Sequence, residues 1–331
     1  MPESLTVLAT SPRLYPHALD LGRELVSLIA MDEISYRAAS FLDERVLAPG
    51  TMTRWERTED VARVMAASTC ARPLHFIFHS GHVGSTLLSR LLDEVRGVLS
   101  LREPLPLRTL ADAADDRLIE TFLRLWERGF ESTKSVVLKA TSSAARVAPA
   151  LLSRRPNAHA VYLNLPPEPY LATLLAGANS EIDLNTHAAE RLRRLRTVLG
   201  ADTPSLLSMS PGELAAMSWL TERLTQQQLM DQFGVRILPL DFDQLLTSPT
   251  ETMRTVVNHF AIDAPSIGDI TNSPVLARYS KAPEYAYSPK LRADILSESR
   301  LRNGGEIRAG LHMLDALGAK SAAVASVLTT S

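Results

Sequence analysis

Apolar positions along the chain follow two rhythms: short unbroken runs, and repeats every three or four residues. Phe76, Ile77 and Phe78 belong to an unbroken run, as a buried strand requires, and Leu87, Leu88, Leu91, Leu92 and Val95 then recur at helical spacing. Further runs at residues 98–101, 135–143, 158–165 and 235–240 predict four more strands. Helical repeats lie between them at 110–130, 170–176, 185–199 and 211–232. Strands alternating with helices predict an α/β fold with a central parallel sheet of about five strands.

The flanks read differently. Residues 1–70 carry helical periodicity at 19–31 and, through Val61, Val64 and Met65, at 56–67, and so predict a helical amino-terminal cap. Within it, Ser40 to Arg45 read as a surface helix end, with a place near a site as the alternative. Beyond Phe260 the chain is loop-rich until a helix at 306–317 and a small-residue tail. The expected organisation is one domain over 1–331: the cap over 1–70, the core over 71–262, and a carboxy-terminal loop and helix over 263–331.

The first core strand and its helix are joined by a loop with Gly81 and Gly84, followed by Ser85 and Thr86. Glycines permit positive φ or close approach to a ligand, and the free N–H groups at a helix start, backed by its dipole, favour an anion. This is the order strand, phosphate-binding loop, helix; a mere tight connection is the alternative. Against the nucleotide triphosphate motif G-x-x-x-x-G-K-[ST], His79 stands at the first glycine and Ser85 at the lysine. An ordinary ATPase or GTPase is therefore not expected.

Residues 79–88, HSGHVGSTLL, resemble the 5'-phosphosulfate loop of the sulfotransferases that use 3'-phosphoadenosine 5'-phosphosulfate (PAPS), with His82 where that family carries Lys or Arg. Residues 235–249, VRILPLDFDQLLTSP, and 252–260, TMRTVVNHF, are similar to the family's late strand, acidic segment and following helix. The resemblance implies a three-layer fold of P-loop type. It also implies sulfuryl transfer from PAPS to a hydroxyl or amine of a small acceptor, without a metal. Ser80, Gly81, His82, Val83, Gly84, Ser85 and Thr86 would hold the phosphosulfate, with His82 neutralising the leaving phosphate. The family ends its fourth strand with an Arg and places a Ser eight residues on, both on the 3'-phosphate; here Leu165 and Thr173 stand at those positions. Leucine cannot bind phosphate, so the replacement cation is expected from the tyrosine-rich run at 278–292. Arg278 and Lys281 lead there, ahead of Lys290 and Arg292, with Arg191, Arg193 and Arg194 a second choice.

Two further residues follow from topology, because the carboxyl ends of parallel strands face the ligand crevice. Arg102 and Glu103 leave the second strand there, and Pro104 and Pro106 are expected to hold the exit extended. The resemblance makes Glu103 the acceptor's base; capping a helix or pairing with an arginine is the alternative. Lys139, near the end of the third strand, is a candidate for phosphosulfate or acceptor contact, since a buried lysine needs an anion. Snorkelling to solvent is its alternative. Rival functions are a degenerate P-loop phosphotransferase using ATP and Mg²⁺, with Asp241 or Asp243 as metal ligands, and a non-catalytic nucleotide-binding protein.

Composition narrows the classes. Lys plus Arg number 35 against 37 Asp plus Glu, giving a net charge of −2, so no overall field draws the chain to nucleic acid or membrane. The basic helix at 185–199 reads as amphipathic with a solvated basic face. A single cysteine, Cys70, excludes an intrachain disulfide and suits a reducing cytoplasm. The amino terminus shows no targeting pattern and no apolar run reaches membrane-spanning length. A small-molecule acceptor is the expected partner, and a homodimer is left open.

Overall fold

The computed structural model describes residues 5–113, 115–177, 180–282 and 284–329. Met1 to Ser4, which open the amino terminus read for targeting, and Pro283 of the tyrosine-rich run lie outside the described residues.

The amino-terminal region is not a helical cap. Strands β1 (Leu14–Asp20), β2 (Leu25–Ala30) and β3 (Thr53–Arg57) form an antiparallel sheet in that order. Leu19, Val26 and Ile29 satisfy a helical repeat, yet Gly22 and Glu24, at φ 56°, allow a reversal that turns the same residues into a hairpin. Long-range bonds decide the case: the Tyr15 hydroxyl donates to the Leu42 carbonyl at 2.8 Å, and buried Arg128 donates to the Leu14 carbonyl at 3.0 Å. Two helices accompany the sheet, α1 (Glu33–Ala38), capped by Asp32, and α2 (Thr58–Ala66), the latter as expected.

The core then alternates as predicted: β4 (Leu74–His79), α3 (Ser85–Asp93), β5 (Val98–Arg102), α4 (Leu105–Ala113), α5 (Asp116–Trp126), β6 (Ser135–Lys139), α6 (Ala148–Arg154) and β7 (Ala160–Asn164). After α7 (Pro167–Ala176), α8 (Ser180–Leu199) and α9 (Pro211–Phe233), the chain returns as β8 (Ile237–Asp241). The five strands are parallel in the order β5-β6-β4-β7-β8. Alternation along β4 divides the core. Ile77 joins Leu88, Leu163 and Trp219 on one face of the sheet, and Phe76 and Phe78 join Phe122, Trp126 and the amino-terminal sheet on the other. The molecule is a three-layer α/β fold.

Several boundaries differ from expectation. The helix expected at 110–130 is two helices, and Pro104 and Pro106 do not hold the exit extended: α4 starts at Leu105, because a first turn tolerates proline. The last strand starts at Ile237, since Gly234, at φ 56°, ends α9 and a 3₁₀ turn follows. Carboxy-terminal to α10 (Phe242–Thr247), α11 (Pro249–His259) and α12 (Ile267–Thr271), helix α13 (Pro289–Gly318) is much longer than expected and is kinked at Asn303. It crosses α9 so closely that a Cβ on Gly310 would lie 2.5 Å from the Gly212 carbonyl. The tail forms α14 (Ala322–Thr329), which buries Val324 and Val327.

Candidate functional site

A cleft of about 1160 Å³ opens at the carboxyl edge of the parallel sheet, where the loops after β4, β5, β6 and β8 converge. Ser35, Ser40, Phe41 and Arg45 line it from the amino-terminal region, and Tyr279, Lys281, Tyr287 and Leu296 from the carboxy-terminal one. At its floor the β4–α3 loop is held by side-chain bonds to backbone. His79 Nδ1 accepts from Gly81 N–H at 3.0 Å, so Nε2 carries the proton that is given to the Ala140 carbonyl at 2.8 Å. Burial, then Lys139, push His79 down to about 3 and keep it neutral. The Ser80 hydroxyl donates to Asn164 Oδ1 at 2.9 Å, and the Tyr170 hydroxyl donates to the Ser80 carbonyl at 2.7 Å.

Ser80 and Gly81 thus shape the loop from within, and neither lines the cleft. His82, Val83, Gly84, Ser85 and Thr86 do line it. Gly84 takes φ 73° at the start of α3, and a Cβ there would fall 2.0 Å from Phe242 Cε2, so glycine is required twice over. The Thr86 hydroxyl is buried without a hydrogen-bond partner, an arrangement that costs stability unless a ligand completes it. His82, at φ 56°, is not an imidazolium in this site: burial and Lys281 push it down to about 4, so it is neutral near pH 7.

Glu103 and Lys139 meet at the cleft as a hydrogen-bonded ion pair, both buried, because β5 and β6 end in register at Arg102 and Lys139. Arg108 and Arg45 approach the other carboxylate oxygen at 3.5 and 3.9 Å. Burial, the largest single influence, raises the Glu103 carboxyl, but the charge and hydrogen bond of Lys139 and the pull of other groups, Lys281 among them, together outweigh it and the group falls to about 2. Burial lowers Lys139 against the pull of Glu103. Lys281 reaches the same cleft and is likewise lowered by burial. Of the alternatives for these residues, pairing of Glu103 with an arginine is met by Arg108 and Arg45 beside Lys139, whereas Lys139 is buried and does not snorkel to solvent.

Other expectations change. Arg102 does not face the crevice: it is fully buried, pairs with Asp93 at 2.5 Å and donates to the carbonyls of Ala39, Tyr36 and Arg37. Arg278 does not line the cleft; it bridges to Ala286 through backbone pairing and faces solvent. The basic face of α8 is only partly solvated, for Arg191 is buried against Asp183 and Arg194 bonds to Glu222. Ser40, Phe41 and Arg45 are no remote helix end: they line the cleft, with the Arg45 guanidinium 3.4 Å from the Phe41 ring centroid. Thr173 lines it too, although its hydroxyl donates to the Pro169 carbonyl at 2.7 Å. Leu165 is 2% exposed, and Trp219 Nε1 donates to its carbonyl at 2.8 Å, so the fourth strand's end is an apolar plug.

Sequence reasoning missed Arg90. From α3 it donates to the Ser280 carbonyl and to the Ser40 hydroxyl, each at 2.7 Å, and so ties the two walls of the cleft together. Its only sequence signal is a single cation in a helix otherwise made of leucines, hydroxyl residues and one aspartate. Asp241 caps α10 by accepting from the Asp243 and Gln244 N–H groups, and Asp243 pairs with Arg292 at 2.9 Å. Among the described residues no three His, Cys, Asp or Glu side chains are grouped to hold a metal ion, and no helix is long and apolar enough to cross a membrane.

No protein-family model matches the chain, and no curated protein matches it. Similar solved structures include sulfotransferase STF9 from Mycobacterium avium, at 13% identity over 71% of this chain and 78% of that one, with a TM-score of 0.43. A sulfotransferase domain from the Synechococcus PCC 7002 olefin synthase has 15% identity over 71% and 89% of the two chains and a TM-score of 0.42. A mouse sulfotransferase complexed with PAP has 11% identity over 79% and 97%, with a TM-score of 0.37.

Proposed function

We propose that the cleft binds PAPS and that the protein transfers its sulfuryl group to a hydroxyl or amine of a small-molecule acceptor. The observation that carries this reading is the β4–α3 loop. Its left-handed Gly84 and the first turn of α3, where Thr86 keeps a buried and unpartnered hydroxyl, line the same cleft as Lys139 and Lys281. The resemblance of residues 79–88 to a phosphosulfate loop supports the same choice.

In the proposed reaction the acceptor oxygen or nitrogen forms a bond to sulfur as the bond from sulfur to the 5'-phosphate oxygen breaks. The acceptor's proton goes to Glu103, and the leaving phosphate keeps the electron pair. Charge grows on the transferring group and the leaving oxygen, where fixed donors act most strongly. Lys139 has two roles in this scheme: while it holds Glu103 the carboxylate is a poor base, and a sulfonate that draws Lys139 away raises the basicity of Glu103. His82, neutral beforehand, gains a proton as the anion arrives. Phe41 and Arg45 form the wall on which an acceptor rests.

The test is a radiolabelled PAPS incubation in which release of 3',5'-diphosphoadenosine and labelling of an acceptor pool are followed by chromatography. Thermal shifts with 3',5'-diphosphoadenosine and with ATP plus Mg²⁺ run beside it. Diphosphoadenosine is expected to raise the melting temperature. Stabilisation and turnover with ATP and Mg²⁺ alone would replace sulfuryl transfer by phosphoryl transfer.

A further inference from the structure

We infer that the protein forms a two-fold dimer in which β3 pairs antiparallel with β3 of a second copy, joining two three-stranded sheets into one of six strands. β3 is the last strand of its sheet and has β2 as its neighbour, so its other edge is a template for a further strand. Its sequence, Thr53-Arg54-Trp55-Glu56-Arg57, is built around Trp55. That side chain is 48% exposed, and Met52, just before the strand, is 86% exposed. Arg54 and Glu56 stand one residue to either side of Trp55, share the opposite face of the strand, and are ion-paired with each other along it.

Charge symmetry identifies the occupant as a second copy of this chain. A two-fold axis perpendicular to a sheet returns each residue to the same face, so one residue of the strand must meet its own copy across the axis. With Trp55 at that place all five residues are paired: Arg54 faces Glu56 of the partner subunit, Thr53 faces the partner's Arg57, and Trp55 faces the partner's Trp55. The four charges nearest the axis then alternate in sign. Centring the pair on Arg54 or Glu56 would set like charges against each other, and centring it on Thr53 or Arg57 would leave half the strand unpaired. Charges on a sheet edge ordinarily repel a copy of their own strand; disposed about an aromatic centre, as here, they attract one. Aromatic and opposite-charge cross-strand pairs are the contacts that stabilise a sheet, whereas a strand of unrelated sequence would share only the backbone bonds. The chain between β2 and β3 supplies Phe41 and Arg45 to the cleft, so pairing at β3 anchors one end of that wall.

Sedimentation velocity of the full chain, from low to high micromolar concentration, should show a reversible passage from monomer to dimer, since a five-residue strand makes a small interface. Arg54→Glu and Glu56→Arg each place like charges at the seam and should weaken the dimer at least about tenfold. Mixed in equal amounts, the two variants should associate again, because the acidic strand of one faces the basic strand of the other. Melting curves report that each variant is folded. Trp55→Ser, at an exposed position, should also weaken the dimer and serves if a charge variant does not fold. A dimer that forms as readily in Arg54→Glu or Trp55→Ser as in the unmodified chain overturns the β3 seam. So does a mixture of the two folded charge variants that stays monomeric. An unmodified chain that remains monomeric throughout overturns the dimer and leaves the edge to a strand of another protein.

Discussion

Two strand-to-helix corners stand side by side at the same edge of the sheet, β4 to α3 and β7 to α7, paired in register through His79 and Leu163. Both are placed where a parallel sheet offers a ligand site. The first leaves Gly84 in a left-handed turn and, on cleft-lining Thr86, a buried hydroxyl without a partner. The second spends its polar groups internally: Asn164 Oδ1 accepts from Leu165 N–H and from the Ser80 hydroxyl, and Trp219 closes on the Leu165 carbonyl. Position in the topology creates an opportunity for binding; whether the donors point outward or are used within the protein decides whether it is taken.

The largest effect should come from forcing the closed corner open. Leu165→Arg would bury an uncompensated cation in an apolar plug and should cost about 3–5 kcal/mol in urea unfolding, with no gain in affinity for 3',5'-diphosphoadenosine. A stable variant with improved binding would mean that the plug is not closed. At the open corner, Gly84→Ala adds left-handed strain of about 1–2 kcal/mol to a clash with Phe242 worth about 1–3 kcal/mol. A Gly84→Ala, Phe242→Ala pair should recover the clash and not the strain, which a double-mutant cycle separates.

Glu103→Gln sharpens the contrast chemically. Turnover should fall about 10²-fold or more with diphosphoadenosine affinity nearly unchanged, as loss of a general base requires. A variant that turns over normally but melts earlier would show that Glu103 only neutralises Lys139. The remaining contrast is in pH. His75, His79 and His82 are lowered in the folded protein, chiefly by burial, to about 4, about 3 and about 4. The unfolded chain therefore takes up protons first as pH falls through about 6.5, and stability should decline from there to about pH 4, with no contribution from these groups above pH 7. Denaturant titrations at pH 7 and 5 measure the slope, which His79→Gln should reduce. For binding the sign is opposite: an anion that raises His82 makes association take up a proton, so affinity should grow as pH falls below 7. Calorimetry in two buffers of different ionisation enthalpy detects that proton.

Much of the core was legible because its signals are local. Five apolar runs became the five parallel strands, and the order of glycines and hydroxyls in residues 81–86 became the loop and first turn of α3. Glu103 and Lys139 each stand out from their own strand ends, but nothing local says that they pair. That follows from β5 lying next to β6 in register. Misreadings have the same cause. Residues 19–31 fit a helix and a hairpin equally well over so short a span, and pairing with β3 together with the buried hydroxyl of Tyr15 made the choice.

What the sequence by itself determined is therefore the repeating strand-and-helix core, the glycine-containing turn into α3 and the apolar character of position 165, since run length, glycine conformational freedom and side-chain polarity act within a few residues. Only the tertiary structure decided that His82 is neutral, that Arg102 is walled in, that Arg90 joins the two sides of the cleft and that Arg292 rather than Arg278 faces it. Each of these depends on burial or on a charge brought close by distant parts of the chain, and the energy of a charge is set by what surrounds it in space.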